Sequence, residues 1–191
     1  MSNIVDPLVG QIASRIRAER ENRRWTLAQL ADASGVSPAM ISRIERGESS
    51  PTAVLLGRLS AAFQLSIAAL LDDAGTGPAT GVRRGTEAAE WRDPGTGYRR
   101  RQITGPGFPA EIAEIHLPAG ARVPYPAAAF AFIRQIVWVL DGRLTFHDGD
   151  AVHELGPGDT IELGEPAERA FVNATGSDCR YVVILTRHTQ P

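Results

Sequence analysis

The chain has 191 residues, 43% of them hydrophobic and 22% charged, with a formal net charge of −2. That length allows two small globular units with separate cores, and no apolar run approaches the ~18–20 residues of a membrane span. Cys179 is the single cysteine, which excludes an intramolecular disulfide and a cysteine zinc cluster. No basic-then-apolar leader opens the sequence, so a cytoplasmic location is expected. Charge is divided unevenly: residues 1–71 hold eight Arg and six acidic residues, net +2, and residues 72–191 hold twelve Arg and sixteen acidic residues, net −4. Arg15, Arg17, Arg20, Arg23 and Arg24 cluster in and after the first helical pattern. They read as a modest basic face for phosphates or as a solvated helix surface.

A helix–turn–helix pattern follows. Thr26 is an expected N-cap, and Gln29 three residues on completes a capping box. Leu27, Leu30 and Ala31 recur at i, i+3, i+4, the stripe of a core-facing helix. Gly35 supplies the turn, where a left-handed backbone costs glycine little, and Val36 plugs it. Ser37 caps a second helix with Pro38 at its first position, where the missing N–H is harmless. Ile41 and Ile44 face inward, and Gly47 ends the helix. Ser37, Pro38, Ala39, Met40, Ser42, Arg43 and Arg46 remain outward, as a helix entering a DNA major groove requires. Arg43 has the bidentate reach to guanine. Ala39 and Met40 can meet thymine methyls, and Arg46, Ser49, Ser50 and Thr52 suit phosphates. Thr26 and Gln29 join this expected contact set.

Residues 9–71 resemble the XRE (Cro and lambda-repressor-like) helix-turn-helix family. The matching residues are Ile16 and Arg20, Thr26 to Ala31, Gly35-Val36-Ser37, Ile41 to Gly47, and Pro51-Thr52. The resemblance implies an all-α five-helix domain in which residues 37–46 read the major groove of double-stranded DNA. Pro38-Ala39 departs from the polar readers that relatives often carry, which leaves direct readout resting mostly on Arg43.

Helical spacing ends after Asp73. Residues 74–81 read as a Gly-rich linker between a domain at 1–73 and another at 82–191. Short apolar runs then alternate with Gly, Pro and Asp turns at about 98–103, 110–117, 133–140, 143–148, 151–155, 159–163, 168–173 and 179–186, the pattern of a β-sandwich or barrel. Asp141-Gly142 and Asp148-Gly149 are expected hairpin turns. His147 and His153 flank the second turn and read as surface residues. Tyr125, Phe130 and Phe132 either form a mouth or pack.

Val137 to Gly142, Leu155 to Thr160 and Phe171-Val172-Asn173 resemble the two motifs of a cupin, over about residues 110–186. The resemblance implies an all-β double-stranded β-helix, or jelly-roll, barrel, and so an α+β two-domain chain. The family's metal-ligand positions fall here on Pro126, Ala128, Gln135 and Arg169, and a neutral amide and a guanidinium bind divalent metals poorly. No metal, no cofactor and no catalysis are therefore expected. The motif alignment and strand alternation place Gln135, Val137, Arg169 and Phe171 on the lumen face. Such a lumen suits a small anionic or carboxylate effector, unless Arg169 is paired internally with Glu114 or Glu162.

The reading is a sequence-specific transcriptional regulator, a ligand-responsive repressor acting as a homodimer through residues 82–191, with Trp138 as an interface anchor. Effector coupling needs the two domains to touch, through Arg83, Arg84 or Trp91. The alternatives are an antitoxin-like module that binds a protein partner and a cupin enzyme carrying its own DNA-binding domain.

Overall fold

The computed structural model describes residues 7–71, 81, 82, 84, 85, 88, 90–105 and 108–187. Among the described residues five helices come first: α1 Pro7–Asn22, α2 Leu27–Ser34, α3 Pro38–Glu45, α4 Ala53–Phe63 and α5 Ile67–Leu71. Their boundaries follow the local chemistry. The Thr26 hydroxyl accepts from the Gln29 N–H at 3.2 Å, and the Gln29 side chain accepts from the Thr26 N–H at 2.8 Å. Both halves of the capping box therefore form, satisfying two amides that the first helical turn leaves orphaned. Gly35 stands at φ 67°, donating to the Ala31 carbonyl at 2.8 Å. Ser37 accepts from the Met40 N–H at 3.3 Å with Pro38 at the first helical position. Thr52 caps α4 in the same way through the Leu55 N–H.

Ten strands follow: β1 Glu90–Arg92, β2 Arg99–Gln102, β3 Glu111–Leu117, β4 Arg122–Tyr125, β5 Ile133–Asp141, β6 Leu144–Asp148, β7 Ala151–Leu155, β8 Thr160–Glu162, β9 Arg169–Val172 and β10 Cys179–Arg187. They form two antiparallel sheets in the orders β1-β2-β3-β10-β5-β8 and β4-β9-β6-β7. The inner faces meet on aromatic rings: Phe171 stacks on Tyr181 at 5.5 Å and tilts against Phe146 at 4.9 Å. The two-domain α+β architecture expected from the sequence is the one observed.

Three expectations are corrected. Asp141-Gly142 is not a hairpin: β5 pairs with β10 and β8, whereas β6 pairs with β7 and β9, so this turn carries the chain from one sheet to the other. The turn after Asp148 does close a hairpin, with Asp148 opposite Ala151. The short strands β1 and β4 had no apolar run to announce them. Finally, the cores are not separate. Buried residues form one cluster that includes Ile16, Leu56 and Phe63 of the helices and Val123, Tyr125 and Tyr181 of the barrel. Of the expected linker 74–81, all but Gly81 lies outside the described residues.

The helices and barrel meet through α4 and α5. The Tyr125 ring lies over Gly57, where an added Cβ would come within 2.8 Å of Cε1 and closer still to Cδ1. The Ser66 hydroxyl, which caps α5 at Ala69 N–H, also donates to the Glu111 carboxylate. Of the residues expected to carry this contact, Trp91 is placed elsewhere. Trp91 is buried within the barrel, edge-on to Tyr98. Arg83 lies outside the described residues.

Candidate nucleic-acid interface and barrel cavity

The start of α3 faces solvent. Ser37, Pro38, Ala39 and Arg43 are exposed, while Ile41 and Ile44 anchor the opposite side of the helix in the core. Val36 is buried beneath the turn, which Ser34 locks by donating to the Leu30 carbonyl and accepting from the Val36 N–H. The Arg43 side chain forms no hydrogen bond among the described residues, and its carbonyl accepts from the Glu48 N–H at 3.0 Å. Other members of the expected contact set are less free. Met40 is half-buried against the core. Ser42 accepts a hydrogen bond from Arg46, and Arg46 makes a two-pronged ion pair with Glu48 at 2.7 and 2.8 Å. Both partners of that pair are more than half exposed, so solvent screens it. Thr26 and Gln29 are exposed at the start of α2, and Ser49 is half-buried.

The basic cluster on α1 resolves in favour of internal pairing. Arg15 and Arg23 bridge to Glu19, and Arg17 bridges to Glu21. Arg20 forms a two-pronged bond to Glu45 at 2.7 and 2.8 Å and donates to the Trp25 carbonyl. The hydrogen bond to Glu45 holds the Arg20 guanidinium above its ordinary pKa. This bridge ties α1 to the end of α3 and fixes the angle at which α3 is presented. Arg24 alone of the five is exposed without a salt bridge among the described residues.

Inside the barrel, Gln135, Val137, Arg169 and Phe171 are all buried, but they do not share one site. Gln135 and Phe171 line a cavity of about 50 Å³. Val137 packs in the core, and Arg169 borders a different recess beside Arg58 and His147. Nor is Arg169 paired with Glu114 or Glu162. Its Nε donates to Asp148 at 2.7 Å, its Nη2 donates to the Glu165 carbonyl at 2.8 Å, and its plane lies 4.6 Å over Phe130. Antiparallel pairing of β6 with β9 sets Asp148 opposite Arg169, which makes this a cross-strand ion pair. Glu114 faces Arg101, Arg180 and His116 instead. Tyr125 and Phe130, left between mouth and packing, do both: they are buried and they line the cavity.

The sequence reading missed Arg100. It projects from β2 into the same cavity as Gln135, is 5% exposed, and leaves Nε and Nη2 buried with no hydrogen-bond partner. Alternation along Tyr98, Arg100 and Gln102 was the available signal. It was masked because the run Arg99-Arg100-Arg101 looks uniformly solvated.

The residues at the cupin metal positions do not fit a divalent ion. Arg169 brings a positive charge already committed to Asp148, and Gln135 offers a lone carboxamide. Among the described residues no group of three His, Cys, Asp or Glu side chains could hold a metal. Also among them, no helix is long and apolar enough to cross a membrane.

Comparison with known proteins agrees with the helical half. The Helix-turn-helix family HTH_3 matches residues 16–70. Those residues are a helix-turn-helix domain. This domain is similar to the HTH-type transcriptional regulator SutR of Escherichia coli, with 43% identity over 49 residues, 26% of this chain and 28% of that protein. It is also similar to the transcriptional regulator ClgR of Mycobacterium tuberculosis, with 35% identity over 75 residues, 39% of this chain and 64% of that one. The chain thus spans less than two thirds of either relative. An HTH_3 family transcriptional regulator from Vibrio cholerae has the same fold throughout: TM-score 0.75 at 22% identity, covering 96% of this chain and 98% of that one. The helix-turn-helix domain and the barrel are therefore shared as one architecture.

Proposed function

We propose that this chain is a sequence-specific DNA-binding transcriptional regulator that reads the major groove with residues 37–46 and whose barrel binds a small molecule that tunes the grip. The observation that carries the reading is the start of α3. Its first turn is solvent-facing, capped and rigidly seated, with Arg43 exposed one and a half turns along. An exposed helix start offers amides to phosphates and side chains to base edges. Arg43 supplies direct readout, and Ser37, Ala39 and Ser42 approach the bases and backbone around it. A protein with one such helix gains affinity and selectivity by presenting two, one helical turn of DNA apart, so a homodimer is the working form. Ile136 and Trp138, 37% and 43% exposed on the outer face of β5, are apolar groups suited to that pairing. Repression by occluding a promoter needs the least machinery. A catalytic role is disfavoured by the side chains at the metal positions.

Selection of bound sites from a pool of random duplexes tests the reading, and a palindromic consensus is expected. Arg43→Ala should cost ~1–3 kcal/mol at the base it reads, with that position losing its preference. Arg43→Ala protein that is folded and binds the selected site with parental affinity and selectivity overturns the groove assignment.

A further inference from the structure

The barrel cavity lies where the two halves of the chain meet. Its walls include Arg100, Gln135, Tyr125 and Phe171 of the barrel, and its roof includes Ser60 of α4 and Ile67 of α5. A buried guanidinium with two unpartnered nitrogens is costly to keep, because an uncompensated buried charge forfeits its hydration. Internal pairing offsets most of that cost at Arg169, where Asp148 is the counter-ion and Nη1 alone stays without a partner. At Arg100 no salt bridge is made among the described residues, and Nε and Nη2 are buried without a hydrogen-bond partner in a residue that lines the cavity.

We infer that this cavity is a binding site for a small organic monocarboxylate, its carboxylate paired with Arg100 and its apolar end against the aromatic wall under the α4–α5 roof. A single guanidinium matches a single negative charge, whereas a phosphate dianion would leave one charge uncompensated. Gln135 adds an amide donor to the same wall. The Tyr125 and Tyr181 hydroxyls stay protonated, because burial, reinforced by the nearby Tyr98, pushes both well above the ordinary range. They too are donors. A volume of about 50 Å³ holds roughly three to five non-hydrogen atoms, taking ~10–15 Å³ for each water-sized group. Propionate is that size and is the probe. The inference gives the sensing half of the regulator reading its ligand class and rests on that reading for its regulatory meaning.

The test uses the full chain, dialysed free of small acids, and follows thermal unfolding with propionate, with neutral propionamide, and with inorganic phosphate at matched ionic strength. Saturating propionate should raise the transition by roughly 5 °C, with no comparable rise from propionamide or phosphate. Arg100→Met should abolish the propionate response while melting no lower than the parent without ligand, since it removes an unpaired charge from an apolar site. Three results each overturn the site: no response of the parent to propionate, an equal response to phosphate, or a response that survives in Arg100→Met. Strong destabilisation of Arg100→Met in acid-free buffer overturns it as well, because the guanidinium would then have a structural partner. Duplex binding without propionate separates this inference from the regulator reading. Arg43→Ala should bind the selected site more weakly, lose preference at the base Arg43 reads and keep the propionate response, and Arg100→Met should bind the duplex as the parent does and lose the propionate response. Failure of the parent to bind any selected duplex strikes the regulator reading and leaves the acid site standing.

Discussion

Two buried arginines show how much a residue's role depends on what its neighbours supply. Arg169 and Arg100 are both almost wholly enclosed, yet Arg169 meets a carboxylate and two backbone carbonyls while Arg100 leaves Nε and Nη2 without a hydrogen-bond partner. From the sequence, Arg169 looked like the ligand-binding cation because it stands at a family ligand position, and Asp148 could not be matched to it without the β6–β9 register. Cys179 is a third buried group with a definite chemical consequence. Burial, with the negative charge of Asp141 adding to it, pushes the thiol up to about 11. The thiolate is the reactive form, so a raised pKa suppresses alkylation. Iodoacetamide at pH 8 should leave the native protein unmodified and label Cys179 promptly once denaturant unfolds it. Mass spectrometry reads both states, and rapid labelling of the folded protein would contradict the burial.

At the scale of elements, capping and alternation decided what was legible beforehand. The two reading helices were readable because Thr26, Gln29, Ser37 and Pro38 declare their starts and Gly35 declares the turn. Eight strands announced themselves by apolar runs. β4 hid because Pro124 interrupts it, and β1 because Glu90 and Arg92 flank its one buried residue. The sheet switch at Gly142 was illegible, because an Asp-Gly pair specifies a tight turn but not the partner of the strand that follows. β3 carries an element-level prediction. Burial alone would push Glu114 up. The hydrogen bond and charge of Arg101, with His116 and Arg180, outweigh burial and hold the carboxyl below its ordinary 4.5. A carboxyl depressed in the folded state contributes stability that is fully present above its unfolded pKa and is lost as pH falls through the folded one. Glu114→Gln should therefore destabilise at pH 7 and flatten the loss of stability below about pH 4.5. Urea midpoints measured down that range check it, and an acid limb as steep as the parent's would show that Glu114 is not the group responsible.

At the scale of the whole molecule, the two halves behave as parts of one packing unit rather than beads on a string. A ligand in the barrel can influence the reading helix only through a stiff contact, and the run from Tyr125 through Gly57 into α4 supplies it. α4 also packs on α2, so the same helix touches the barrel and braces the turn that presents α3. Gly57→Ala isolates this contact because two effects of the substitution oppose each other. In a helix interior, alanine is favoured over glycine by about 1 kcal/mol, so an unhindered site would be stabilised. Here the new methyl meets the Tyr125 ring, and forcing atoms into a filled core costs ~1–3 kcal/mol. Tyr125 is itself held edge-on between Phe130 and Phe171, which limits how far it can yield. The expected outcome in scanning calorimetry is a transition lowered by up to roughly 8 °C and broadened or split as the halves uncouple. Binding to the selected duplex should survive, since α3 and its Arg20–Glu45 brace are untouched. A Gly57→Ala protein that melts in one transition at or above the parental temperature would mean that the ring does not bear on α4, and the physical link between barrel and reading head would be lost with it.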